Sequence, residues 1–321
     1  MAVLDDYQRR ASGYADWAKL GGDDVDVVFF HDPIAQEALA DRLADFDVLV
    51  LMRERTAFRR PVLERLPRLK LLVTTGSWNA SVDDAYLREA GVVYCGTGRP
   101  DGGPTPGVPS TAEVAWALIL ATCKRVVAED TAIRAGGWQL DLPVNLAGAT
   151  LGLAGLGHLG SSMIGPARAF GMDVIAWSQN LTEERASSLG VRKVSKDELL
   201  SGSDVLSIHL VLSDRTRGLF QAADLAQMKP TAVLVNTSRG PIVDEQALIA
   251  ALRDRTIAAA GLDVYDTEPL PPGHPLTSLQ NVVLLPHLGY VSEAGFRHMY
   301  GQVVEDIAAF LAGSPIRVIG S

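Results

Sequence analysis

The 321 residues suffice for about two domains, each with its own hydrophobic core. Hydrophobic residues at 47% and charged residues at 21% exclude a disordered or fibrous chain. A formal net charge of -9 repels phosphate backbones and argues against a nucleic-acid partner.

The N-terminus, Met1 to Asp6, turns acidic at once and lacks the shape of a signal peptide. Five short apolar runs follow that read as buried strands of a parallel sheet: Ala2–Leu4, Val25–Phe30, Val48–Leu51, Leu71–Thr74 and Val92–Tyr94. Stretches of helical length and period separate them. The arginine-rich stretch from Arg53 to Lys70 is interrupted by Glu54 and Glu64 and reads as a solvated helix face. Residues 96–109 are too rich in glycine and proline for regular structure and read as the crossing between domains. Ser110, with Glu113 three residues later, resembles a helix start, and the apolar helix after it runs to about Ala128. Its longest apolar stretch, Val114 to Ala121, is too short to span a bilayer.

A second alternating series supplies strands at Leu151–Ala154, Val174–Trp177, Val191–Val194, Val205–Ile208, Ala232–Val235, Ile257–Leu262 and Val282–Leu285. Glu293 to Leu311 reads as one amphipathic helix. The shared rhythm predicts an α/β chain of two doubly wound parallel-sheet domains. Two cysteines, Cys95 and Cys123, are too few for a disulfide framework or a Cys-based zinc site. No histidine has ligand spacing, so no metal is expected. A soluble cytoplasmic protein without a membrane partner is predicted.

The sharpest motif is Gly155-Leu156-Gly157-His158-Leu159-Gly160, set between a strand and a helix. The first glycine permits the tight turn, the second lets a pyrophosphate approach backbone, and the third lets helix close on strand. Gly165-Pro166 should kink the helix that follows. The residue after the next strand is Ser178, where an NAD site usually carries Asp or Glu. A neutral Ser178 tolerates a 2′-phosphate, which favours NADP over NAD without excluding NAD, and Arg185 in the next helix is the nearest candidate cation.

Ligands of open parallel sheets bind outside the carboxyl ends of the strands. Three late strands there lead into Thr237 and Arg239, Asp263 and Glu268, and His287. Alone, Arg239 is a surface cation, Glu268 a turn residue and His287 a core imidazole. Together on one edge beside a nucleotide loop they make coherent chemistry. Arg239 grips a carboxylate and polarises the adjacent carbonyl. His287, paired with Glu268, exchanges a proton with the oxygen, and a nicotinamide supplies or accepts hydride. Asp263 and Thr237 are placed against the cofactor.

These residues carry a family resemblance. The glycine loop, Val235 to Asp244, Gly261 to Pro269 and Pro286-His287 resemble the D-isomer-specific 2-hydroxyacid dehydrogenases over nearly the whole chain. The resemblance implies that Arg239, Glu268 and His287 are the catalytic set and that Asp263 contacts the nicotinamide. It also implies a discontinuous flavodoxin-like substrate domain (1–98 plus 291–321), a Rossmann domain (99–290) and a homodimer formed through the latter. The loop Thr74 to Asn79 is assigned to the substrate carboxylate through its backbone N–H groups, which names Gly76, Ser77 and Trp78. Trp78 departs from the family's small residues, and Tyr290 is a second departure. Arg53 follows its strand on the same edge and adds charge for the substrate. The expected activity is NAD(P)-dependent interconversion of a 2-oxo acid and a D-2-hydroxy acid. The alternatives are a non-catalytic NAD(H)-binding sensor or corepressor on the same scaffold, and another Rossmann enzyme such as an adenosine-cofactor transferase.

Overall fold

A computed structural model describes residues 1–21, 25–98 and 110–320. From residue 99 onward the crossing segment read at 96–109 lies outside the described residues. The chain divides into two compact units, Met1–Pro104 with Ser292–Ser321, and Thr105–Val291. Each is built on a sheet whose strand ladders are all parallel.

The first unit holds β1 (Ala2–Val3), β2 (Val28–Phe29), β3 (Val48–Leu51), β4 (Leu71–Thr74) and β5 (Val93–Gly96), in the order β2-β1-β3-β4-β5. The second holds β6 (Thr150–Ala154), β7 (Asp173–Trp177), β8 (Arg192–Lys193), β9 (Val205–Ile208), β10 (Val233–Asn236), β11 (Ala259–Leu262) and β12 (Val282–Leu284). Their order is β12-β11-β10-β9-β6-β7-β8. These are the flavodoxin-like and Rossmann winding orders, which reverse at β1/β3 and at β6/β9 and open a crevice at each reversal. Central strands are covered on both faces, which is why they read as unbroken apolar runs. In β10, Leu234 enters one core with Leu206 and Ile208, while Val233 and Val235 enter the other with Leu151 and Leu153.

Two helices differ from expectation. The helix from Ser110 stops at Cys123, and a separate one spans Val126–Arg134. Arg125 between them is left-handed (φ 56°), and the Cys123 carbonyl accepts the N–H of Val144 instead of continuing the helix. After the glycine loop the helix is likewise divided, into His158–Ser162 and Ile164–Ala169. Pro166 has no N–H to offer the Ser162 carbonyl, so the ladder breaks one turn before it. The arginine-rich stretch is ion-paired on the surface, Arg60 with Glu64 and Glu89, Arg65 with Asp41 and Arg68 with Asp47. Cys95 and Cys123 are buried free thiols. Burial raises them to about 12 and about 11. Among the described residues no helix is long and apolar enough to cross a membrane.

The final helix, Glu293–Leu311, capped by Ser292, packs within the first unit, where Phe296 and Tyr300 meet Tyr14 and Trp17. The tail after it returns to β5. Gly96 N–H donates to the Arg317 carbonyl at 3.1 Å, and Ile319 N–H to the Tyr94 carbonyl at 2.7 Å. Arg317 fastens this turn by donating from Nε to Oδ1 of the fully buried Asp306 at 2.8 Å. Burial pushes the Asp306 carboxyl up to about 7, against the pull of Arg317. A carboxyl raised on folding stabilises most below its ordinary value of 3.8, and that contribution is lost as pH climbs through about 7. Asp306 is therefore expected to lower the denaturation midpoint between about pH 4 and pH 7, and Asp306→Asn to remove that contribution relative to the wild type. An unchanged slope in the variant assigns the dependence to other groups.

Candidate active site

In the second unit β6 runs directly into the glycine loop. A Cβ at Gly155 (φ 103°) stands 2.4 Å from the His209 carbonyl oxygen, and one at Gly160 stands 2.1 Å from the Gly155 carbonyl oxygen. Both glycines are demanded by packing at the β6/β9 reversal. At Gly157 a Cβ meets nothing within 4 Å, so the space beside it is open. His158 is exposed and Leu159 half-buried at the start of the following helix. Ser178, half-buried, follows β7. Thr237, after β10, is buried, and its Oγ1 finds no hydrogen-bond partner among the described residues. An open glycine cradle and an orphaned hydroxyl on one sheet edge suit a dinucleotide.

The turn after β10 is built by its own side chains. Asn236 accepts the Ser238 N–H at 3.0 Å and donates to the Arg239 carbonyl at 2.9 Å, while Ser238 Oγ donates to the Ile208 carbonyl at the end of β9. Arg239 Nη1 donates to the Ser238 carbonyl at 2.7 Å. Gly240 then lies on the backbone after β11, where a Cβ stands 2.1 Å from the Tyr265 carbonyl carbon. The turns bearing Arg239 and Glu268 are thus in backbone contact.

Glu268 and His287 meet directly. His287 Nδ1 lies 2.6 Å from Glu268 Oε2, and the other carboxylate oxygen accepts the Tyr265 N–H at 2.9 Å. This carboxylate on Nδ1 fixes that nitrogen as the proton carrier and leaves Nε2 for a substrate oxygen. His287 sits in the left-handed region (φ 54°), and the ring edge of Tyr290 packs against it at 5.4 Å.

Asp263, expected to contact the nicotinamide, also has a structural task. It is fully buried, and its two oxygens accept the N–H groups of Leu288 at 2.6 Å and Gly289 at 2.8 Å. Thr111 Oγ1 donates to the Gly289 carbonyl at 2.8 Å. In this structure Asp263 anchors the loop that presents His287. Burial raises its carboxyl, opposed by those two N–H groups.

In the first unit the loop after β4 needs one correction. The Gly76 N–H is not open to a carboxylate, because it donates to Thr97 Oγ1 at 2.8 Å. The Thr75 N–H likewise donates to the Leu51 carbonyl. The N–H groups of Ser77, Trp78 and Asn79 remain in this loop. Asn79, missed from sequence, braces the loop by donating to the Arg53 carbonyl at 2.6 Å and to Thr74 Oγ1 at 3.1 Å. Arg53 Nη1 comes 3.2 Å from where a Cβ at Gly76 stands, so the guanidinium lies over this loop. Trp78 is 58% exposed, which excludes a core-filling role. Among the described residues no group of three or more His, Cys, Asp or Glu side chains gathers to hold a metal.

Comparison with known proteins follows the same lines. Residues 116–289 match the model of the D-isomer specific 2-hydroxyacid dehydrogenase NAD binding domain. A glyoxylate reductase of Aeropyrum pernix is 38% identical over 302 residues, covering 90% of this chain and 87% of that protein. A D-3-phosphoglycerate dehydrogenase of Mycobacterium leprae is 36% identical over 296 residues, which are 91% of this chain and 54% of that one. The crystal structure of a phosphoglycerate oxidoreductase from Vibrio cholerae superimposes with a TM-score of 0.89 at 34% identity, covering 98% of this chain and 99% of that chain.

Proposed function

Because the chain belongs to the D-isomer-specific 2-hydroxyacid dehydrogenase family, and with it to the NAD-dependent dehydrogenases of 2-hydroxy acids, we propose that it reduces a small 2-oxo acid with Arg239, Glu268 and His287 as its catalytic set. The observation that carries the residue assignment is the 2.6 Å contact of His287 Nδ1 with a Glu268 that the Tyr265 N–H holds in place. Arg239 grips the substrate carboxylate and polarises the neighbouring carbonyl. His287 gives the Nε2 proton to that carbonyl oxygen as it gains negative charge, and Glu268 stabilises the charged ring. In the first unit the N–H groups of Ser77 and Trp78 receive a carboxylate, and Arg53 adds positive charge. Gly155, Gly157, Gly160, Thr237 and Ser178 hold the dinucleotide, whose reduced nicotinamide supplies the hydride. The neutral Ser178 favours NADPH.

The deciding experiment is a steady-state panel of 2-oxo acids, beginning with glyoxylate and hydroxypyruvate, crossed with NADH and NADPH. Turnover of at least one acid, faster with NADPH, is the expected result. Cofactor binding without oxidation by any acid overturns it in favour of a non-catalytic nucleotide sensor.

The same reading includes a homodimer through the nucleotide-binding unit. Helix Val126–Arg134 and the segment after it expose Val126, Val127, Ile133, Trp138, Leu140 and Leu142, with Leu142 at 88% and Trp138 at 74%. So many exposed large apolar side chains within residues 126–142 are unusual on a monomer. Sedimentation at micromolar concentration should show a dimer that the pair Trp138→Asp, Leu142→Asp converts to monomer. A monomeric wild type removes this part of the proposal.

A further inference from the structure

A second histidine–carboxylate pair lies in the nucleotide-binding unit, on the far side of the turn that carries Glu268. His274 Nε2 is 3.1 Å from Glu245 Oε1, and both side chains are largely buried, at 13% and 14% exposure. His274 Nδ1 accepts the Leu276 N–H at 3.4 Å and so caps the short helical turn Pro275–Ser278. That acceptor role puts the ring proton on Nε2, from which it is donated to Glu245. The other Glu245 oxygen accepts the Asp266 N–H at 3.3 Å.

The turn from Tyr265 to Glu268 therefore has three supports. The Tyr265 hydroxyl donates to the Leu285 carbonyl at 2.8 Å, Gly240 backs its peptide, and Glu245 holds its next N–H. Glu268 depends on this turn twice, as a member of it and through the Tyr265 N–H on its own Oε1. We infer that Glu245 and His274 form a positioning pair that sets Glu268, and through it His287, at the distance and angle proton transfer needs. The inference rests on the catalytic reading of Glu268 and His287. The charged groups around Asp266 are Glu245, Asp244, Arg217 and His274, and those around Asp263 at the catalytic pair are His287 and Glu268.

The test uses Glu245→Ala, Glu245→Gln and His274→Asn in the full-length protein. A misplacement of about 1 Å costs up to about 100-fold in rate, so Glu245→Ala should lower kcat roughly 10- to 100-fold with cofactor affinity within about twofold. With Glu268 loosened, the alkaline limb of the kcat/KM profile for reduction moves to lower pH. Glu245→Gln still offers an oxygen to Asp266 but turns its amide NH2 toward the proton on His274 Nε2, so it should recover kcat only in part. His274→Asn keeps a cap acceptor for the Leu276 N–H but is too short for Glu245, and it should reproduce the pH shift in milder form. It stands in should Glu245→Ala fail to fold. A folded Glu245→Ala or His274→Asn protein with wild-type kcat and an unmoved profile overturns the inference. If His287→Asn is also fully active, it is the catalytic reading that has failed.

Discussion

His287→Asn is expected to lower kcat for 2-oxo acid reduction about 10²- to 10⁴-fold while cofactor affinity stays within about threefold. Asparagine is the informative replacement because position 287 has a φ of 54°, a conformation asparagine tolerates better than alanine. The Leu288 and Gly289 N–H groups remain on Asp263, so the loop keeps its anchor. The proton is lost, since an amide neither gives nor takes one near neutral pH, and with the ring go its contacts to Glu268 and Tyr290. Glu268→Gln should be gentler, because a glutamine can still accept the Tyr265 N–H but brings no charge to the imidazole. Its signature is a narrower pH range for reduction with KM little changed. Wild-type turnover by His287→Asn on every acid the parent reduces removes His287 from the mechanism.

The proposed catalytic edge is more legible in the sequence than the supports beneath it. Buried parallel strands are read as apolar runs, so β3, β4 and β9 occupy the ranges expected, and strand ends then located Arg239, Glu268 and His287. Edge strands are paired on one side only. Two of these, read as Val25–Phe30 and Val191–Val194, shrink to the two-residue β2 and β8. The supports are non-local. Glu245 and His274 are 29 residues apart, and only the folded turn between them gives the pair a purpose. Thr97 takes the Gly76 N–H only because β4 pairs with β5 in register, Thr74 opposite Gly96. No local motif announces either contact. The Asn236–Ser238 turn is the exception, since an asparagine two residues before a serine N–H is a recognisable local device.

Arg239→Lys tests the other half of the chemistry, substrate charge rather than proton transfer. The turn that carries Arg239 closes on itself through Asn236 and Ser238, and Gly240 seats it on the Tyr265 peptide. The backbone at 239 is thus fixed by neighbours that the substitution leaves alone. What changes is the fork: lysine keeps the charge but cannot hold carboxylate and carbonyl oxygens with two parallel N–H groups. Two charge-assisted hydrogen bonds at about 1.5–3 kcal/mol each bound the loss, and with one retained in part kcat/KM for glyoxylate should fall about 10²-fold or more. Both KM and kcat should suffer, because a guanidinium holds the carboxylate in ground and transition states but polarises the carbonyl more strongly in the transition state. A 2-oxo amide, which lacks the carboxylate, separates the two contributions. Wild type should reduce it poorly, and Arg239→Lys should lose much less activity on it than on the acid. An equal loss on acid and amide would place Arg239 on the carbonyl oxygen alone. An unchanged kcat/KM on glyoxylate would take it out of the substrate site.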